Sequence, residues 1–144
     1  MAAPFPIREH RLTRRVQFYE TDAAGIVHFS WYPRYMEEAE HAMWRAAGLS
    51  IHEAGGEHGW PRVAITFDYV APLRFEDVFD VTIRVAELGT RSLRYACEIT
   101  RGDTRIATGT MTIVCVTHGD DGQVRSAPLP PAITSRFAVA ESQS

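Results

Sequence analysis

The sequence predicts an α+β fold in which a five-stranded antiparallel sheet wraps around one long central helix, in the order β-α-β-β-β-β. Three observations carry this. Five runs alternate apolar and polar side chains with the period of half-buried strands. One run, after the first of these, repeats its apolar residues at spacings of three and four, the period of a helix. The last four alternating runs are joined by short links at Phe75-Glu76-Asp77, Leu88-Gly89-Thr90 and Gly102-Asp103. They are therefore expected to pair in sequence as an antiparallel meander.

In the first run Leu12, Val16 and Phe18 share one face, interrupted by Arg14. The helix follows, with Tyr32, Tyr35, Met36, Ala39, Ala42, Met43 and Ala46 in one apolar stripe and Arg34, Glu37, Glu38, His41 and Arg45 largely off it. Arg34–Glu38 and Glu37–His41 stand four residues apart, where side chains on a helix meet. Pro33 has no amide proton and is tolerated only in the first turn. The helix should therefore start between Phe29 and Tyr32, and Gly48 is its expected C-cap. Next come Val63, Ile65, Phe67 and Tyr69 on one face, then Phe79, Val81, Ile83 and Val85, then Leu93, Tyr95, Cys97 and Ile99. The last run places Ala107, Gly109, Met111, Ile113 and Cys115 together. Residues 1–144 read as a single domain with its core over about residues 10–117. Residues 119–144, with Pro128, Pro130 and Pro131, read as a peripheral tail.

Composition narrows the function classes. At 45% hydrophobic and 23% charged the chain reads as a folded, soluble globule. A formal net charge of -3 with interspersed signs argues against nucleic-acid binding, which needs a basic face to displace counterions. Cys97 and Cys115 lie in apolar alternating runs and read as core side chains, with no zinc-like spacing. No run reaches the ~18 apolar residues of a membrane span, and no signal-peptide pattern opens the chain. The expectation is cytoplasmic. His52 and His58 flank Glu53 and Glu57 but match no compact zinc signature, so no metal is expected.

The stretch VQFYETDAAGIVHFSWYPRY, residues 16–35, carries the chemistry. It is a strand, a loop holding Asp22 and Gly25, and the start of the helix. Helix N-termini offer unpaired amides to an oxygen that gains negative charge, and glycine lets a loop turn sharply. A carboxylate just upstream can then stand beside that oxygen, the pairing acyl transfer requires. Glu20 reads as a solvated strand-end charge.

Asp22-x-x-Gly25-Ile26-Val27, followed by Tyr32 and Tyr35 and preceded by Arg15-Val16, resembles the signature of the 4-hydroxybenzoyl-CoA thioesterase family, which has the hotdog fold. The resemblance extends to the segment at 69–77 and to Arg91-Ser92, and covers roughly residues 10–117. It implies an acyl-CoA thioesterase that hydrolyses an acyl- or aroyl-CoA thioester without a cofactor. Asp22 takes the place of the catalytic carboxylate, as nucleophile or as general base on water. Gly25 and the amides near His28 and Phe29 would hold the thioester carbonyl. Tyr32, Trp60 and Pro61 are candidates for the acyl pocket, and Arg91 and Ser92 for coenzyme A binding. The family's sheets pair side by side, which implies a homodimer or homotetramer. Two other functions compete: an enoyl-thioester hydratase or dehydratase using Asp22 and His28, and a non-catalytic acyl-CoA-binding module.

Overall fold

Strand β1 (Glu9–Arg15) leads through a 3-10 turn (Phe18–Glu20) and a loop into helix α1 (Trp31–Ala46) in the computed structural model, which describes residues 5–141. Then follow β2 (His58–Gly59), β3 (Arg62–Tyr69), β4 (Val78–Leu88), β5 (Ser92–Arg101), β6 (Thr104–Val114), β7 (Val116–His118), β8 (Val124–Ser126) and the short helix α2 (Pro131–Thr134). The main sheet has five strands in the order β1-β4-β5-β6-β3, antiparallel throughout, and β2, β7 and β8 form a second small sheet.

Alternation and burial agree along β4, β5 and β6. Phe79, Val81, Ile83, Val85, Leu93, Tyr95, Ile99, Ala107 and Ile113 are all sealed against the apolar side of α1. Burying side chains of this size stabilises by about 1.5–3 kcal/mol each, so this face sets the register of the sheet. Pro33 sits in the first turn of α1, and Gly48, with φ +75°, follows its end. Such a positive φ costs glycine nothing, which is why the chain can leave the helix there. The two cysteines are buried and unlinked.

Several expectations need correction. Only β4, β5 and β6 form a meander, because β3 pairs with β6 and β1 occupies the other side of β4. The link before β4 runs from Val70 to Asp77, too long for a tight hairpin, and it carries the chain across the end of the sheet. Phe18 does not share a strand face with Leu12. It lies in the 3-10 turn, 73% exposed, with its ring edge-on to Phe75 at 5.5 Å. The helix stripe is rotated, so that Glu40 and Trp44 are buried while Ala42 and Ala46 are only half-buried. Residues 119–141 are not peripheral: Leu129, Ile133 and Phe137 enter the core, and Ala140 N donates to Val85 O at 2.9 Å.

Among the described residues, two carboxyl groups lie wholly inside. Glu40 is ion-paired to Arg62 at the start of β3, next to the Tyr95 hydroxyl that accepts from Trp44 Nε1 at 2.9 Å. Glu20, expected in solvent, is also fully buried. β3 itself is an edge strand, and the face read as apolar is open: Val63 is 58%, Ile65 45% and Tyr69 50% exposed.

Candidate active site

The loop between the 3-10 turn and α1 is closed by its own backbone. Asp22 N donates to Ile26 O at 2.9 Å, Gly25 N to Asp22 O at 2.9 Å, and His28 N to Glu20 O at 2.9 Å. Gly25 holds φ +79°, which the turn requires, and the space around its α-carbon is open. Val27 N donates to Leu73 O at 2.8 Å, which fastens the loop to the segment leading into β4.

The Asp22 carboxylate is half engaged. Its Oδ1 accepts from Ala24 N at 2.8 Å, the local turn that aspartate favours. Among the described residues no bond to Oδ2 is found, and the side chain lines a cleft of about 450 Å³. The cleft is also lined by Phe29, Tyr32, Tyr69 and residues 70–72, together with Ile26 and Val27. Tyr32 meets Tyr69 edge-on at 5.0 Å, and Tyr69 Oη donates to Phe29 O at 3.2 Å, tying the end of β3 to the mouth of the helix. Burial holds both phenols above their usual range, so Tyr32 and Tyr69 are neutral donors near pH 7.

The amides at this mouth are not equivalent. Trp31 N and Tyr32 N fold back on His28 O and Phe29 O, at 3.0 and 3.4 Å, and the His28 amide is spent on Glu20. Of the two amides expected to hold a carbonyl, His28 is therefore unavailable, whereas no bond reaches the Phe29 amide among the described residues. The His28 ring packs tilted against Phe29 with centroids 4.4 Å apart, with Nδ1 2.8 Å from Ser30 Oγ, and does not line the cleft.

The remaining sequence candidates lie elsewhere. Trp60 packs edge-on to Trp44 at 5.1 Å, where it lines a smaller cleft of about 160 Å³ with Ile133. Pro61 precedes β3, whereas Tyr69 ends it. At about 3.3 Å per residue the length of β3 puts roughly 23 Å between Arg62 and Tyr69. Arg91 Nη1 donates to Ser126 O at 2.9 Å, and Ser92 pairs with Val114. Both stand at the Trp60 end of the sheet. Within one chain, then, Trp60, Pro61, Arg91 and Ser92 do not reach Asp22. Tyr69 and residues 70–72 are the walls that had been given no role. The signal for them was Tyr69 ending the apolar face of its strand just before Pro72. Among the described residues, no group of three or more His, Cys, Asp or Glu side chains is gathered to hold a metal.

Comparison with known proteins decides the family. Residues 16–137 match the model of the thioesterase-like superfamily. The chain belongs to this superfamily. This thioesterase-like chain is 27% identical over 129 residues to the acyl-CoA thioester hydrolase YbgC of Escherichia coli O157:H7, across 85% of this chain and 91% of that one. It is 25% identical over 126 residues to a 1,4-dihydroxy-2-naphthoyl-CoA hydrolase of Synechococcus elongatus, across 85% and 90%. Among solved structures, a gentisyl-coenzyme A thioesterase superposes with a TM-score of 0.77 at 28% identity, covering 86% of this chain and 98% of the other. The sheet wrapped on one helix is thus the hotdog fold, and this thioesterase-like protein is a thioester hydrolase.

Proposed function

We propose that the cleft beside Asp22 hydrolyses a small acyl- or aroyl-CoA thioester. The observation that carries this is that Asp22, whose Oδ2 has no hydrogen-bond partner among the described residues, and Phe29, whose amide is likewise unbonded, line one cleft at the start of a helix. The amide and the helix dipole would hold the thioester oxygen as it gains charge. Asp22 Oδ2 then acts on the carbonyl carbon, while Ala24 N fixes the carboxylate through Oδ1. In the nucleophilic route Oδ2 bonds to the carbonyl carbon and the C–S bond breaks, giving an acyl-aspartyl anhydride and the CoA thiolate. Water then cleaves the anhydride and restores the carboxylate. In the general-base route Oδ2 takes a proton from the water that attacks the carbonyl carbon; the C–S bond then breaks, and the proton passes from Asp22 to the departing CoA thiolate. An Asp-His hydratase is less well supported, because the His28 ring lies outside the cleft.

The reading extends to a homodimer. The free edge of β3 and its exposed Val63, Ile65 and Tyr69 offer a strip that a second copy would cover by antiparallel pairing. Antiparallel pairing sets the start of one β3 beside the end of the other. Trp60 and Pro61 of the second copy, with Arg91 and Ser92 behind them, would thereby approach Tyr69 and the cleft. This gives the two sets of residues stranded within one chain a place as acyl-pocket and CoA contacts.

The test is release of free thiol from a panel of aliphatic and aromatic acyl-CoA substrates by the parent and by Asp22→Asn. A fall of about 10²–10⁴-fold in kcat is expected for the variant. Full activity in Asp22→Asn, or loss of enoyl-CoA absorbance without thiol release, would overturn the assignment.

A further inference from the structure

The Asp22 loop is anchored by a charged assembly around the buried Glu20 that the chemistry does not itself consume. Arg14 on β1 closes on Glu20 with both terminal nitrogens: Nη1 donates to Oε1 at 2.7 Å, and Nη2 lies 2.6 Å from Oε2, an ion pair without hydrogen-bond alignment. Its Nε donates to Glu38 on α1 at 2.8 Å, and its guanidinium lies 4.7 Å from the centre of the Tyr35 ring. Glu20 Oε1 also accepts from Gln17 N at 2.8 Å, which caps the 3-10 turn, while the Glu20 carbonyl takes the His28 amide. One arginine therefore joins β1, the turn and α1, and it converges on the residue whose backbone closes the Asp22 loop.

Buried ion pairs are a poor source of stability, since removing two charges from water costs about as much as their attraction returns. Their attested use is to fix one geometry among several. Here the fixed object is residues 20–28. Asp22 is two residues beyond Glu20, and the Phe29 amide is the next one after the bonded His28 amide. A slack Glu20 would let carboxylate and amide drift apart, and small misplacements in a catalytic pair cost large factors in rate.

We propose that Glu20 and Arg14 are positioning residues for hydrolysis: their buried pair holds the Asp22 carboxylate and the Phe29 amide in register across the cleft. The inference rests on Asp22 being the acting carboxylate. Neither side chain lines the cleft, so substrate binding is largely spared.

The experiment compares Glu20→Gln, Arg14→Met, the double variant, Arg14→Lys and Asp22→Asn. Thiol release is measured well below each melting temperature, with hydrogen exchange followed at individual amides. Glu20→Gln and Arg14→Met are each expected to lower kcat about 10–100-fold, in line with the factor for a misplaced group, with KM changed less than about threefold. The double variant should lose no more than the worse single one, since both remove the same pair. Arg14→Lys, which keeps a charge facing Glu20, should recover part of the loss. The His28 and Asp22 amides should exchange faster while core amides of β4 and β5 do not. A kcat within twofold of the parent, or exchange raised uniformly across the sheet, would overturn the proposal. If Glu20→Gln does not fold, the rate and exchange of Arg14→Met decide by the same criteria. Full activity in Asp22→Asn would instead refute the assignment of the reaction.

Discussion

Glu40 makes the stability of this protein depend on pH in a direction opposite to that of most carboxylates. It is fully buried on α1, and its Oε2 has no hydrogen-bond partner among the described residues. Burial pushes its pKa up from 4.5 to about 7, against the pull of Arg62 and the Tyr95 hydroxyl and with a small push from Glu37. Between these values the folded chain binds a proton that the unfolded chain has lost. Stability therefore falls as pH rises from about 4.5 to about 7, and stays lower above that. At about 1.4 kcal/mol per pH unit, the ionised form costs about 3 kcal/mol. For a domain of this size that corresponds to roughly 10 °C in melting temperature. Glu40→Gln removes the ionisation and keeps an acceptor for Arg62. The variant should match the parent near pH 4.5 and exceed its melting temperature by roughly 10 °C at pH 8. His10 and His41, both lowered chiefly by burial, contribute stability that rises with pH through the same region. His10 is common to both proteins and cancels, whereas His41 Nε2 lies 3.8 Å from Glu40 Oε1, so the difference reads Glu40 together with its effect on His41. Melting followed by circular dichroism from pH 4 to pH 8 reads it. A Glu40→Gln protein less stable than the parent at pH 8 would refute the reasoning, because it would mean that the ion pair with Arg62 outweighs the cost of burial.

Other outcomes follow from packing and from the open edge. A side chain at Gly109 would place its Cβ 2.6 Å from the Phe67 ring across the β3–β6 ladder. Gly109→Val should therefore destabilise by about 1–3 kcal/mol, seen as a lower urea midpoint at unchanged slope. Tyr95→Phe leaves the buried Trp44 Nε1 without its acceptor, at a cost of about 1–3 kcal/mol, and chemical denaturation measures it. Ile65→Lys sets like charges against each other across a β3–β3 pair. If the proposed β3–β3 pairing holds, sedimentation velocity should show the parent as a dimer and the variant as a monomer, with hydrolysis lost in parallel.

Much of the fold was legible because the forces that set it are periodic. The buried faces of β4, β5 and β6 follow a period of two, and α1 is bounded by Pro33 and Gly48, whose backbone limits act locally. Asp22 and Gly25 were legible for the same reason, since a carboxylate, a turn and a helix start need only neighbours in sequence. Pairing order was not legible. Whether β3 lies beside β4 or β6 depends on which edge β1 fills, and β1 is more than forty residues away in sequence. The burial of Leu129 and Phe137 was hidden for a similar reason, because a proline-rich segment looks the same whether or not a core awaits it.

The sequence by itself determined the fold class, the helix limits and the candidate carboxylate, through periods and turns that short-range sterics enforce. Tertiary structure decided which amide stays free, because Glu20 O accepts a hydrogen bond from the His28 amide and none reaches that of Phe29 among the described residues. It also decided that Glu20 and Glu40 are interior charges, since only packed neighbours can remove water from a carboxylate. And it separated Trp60 and Arg91 from Asp22 by the length of a strand, a distance that no local pattern encodes.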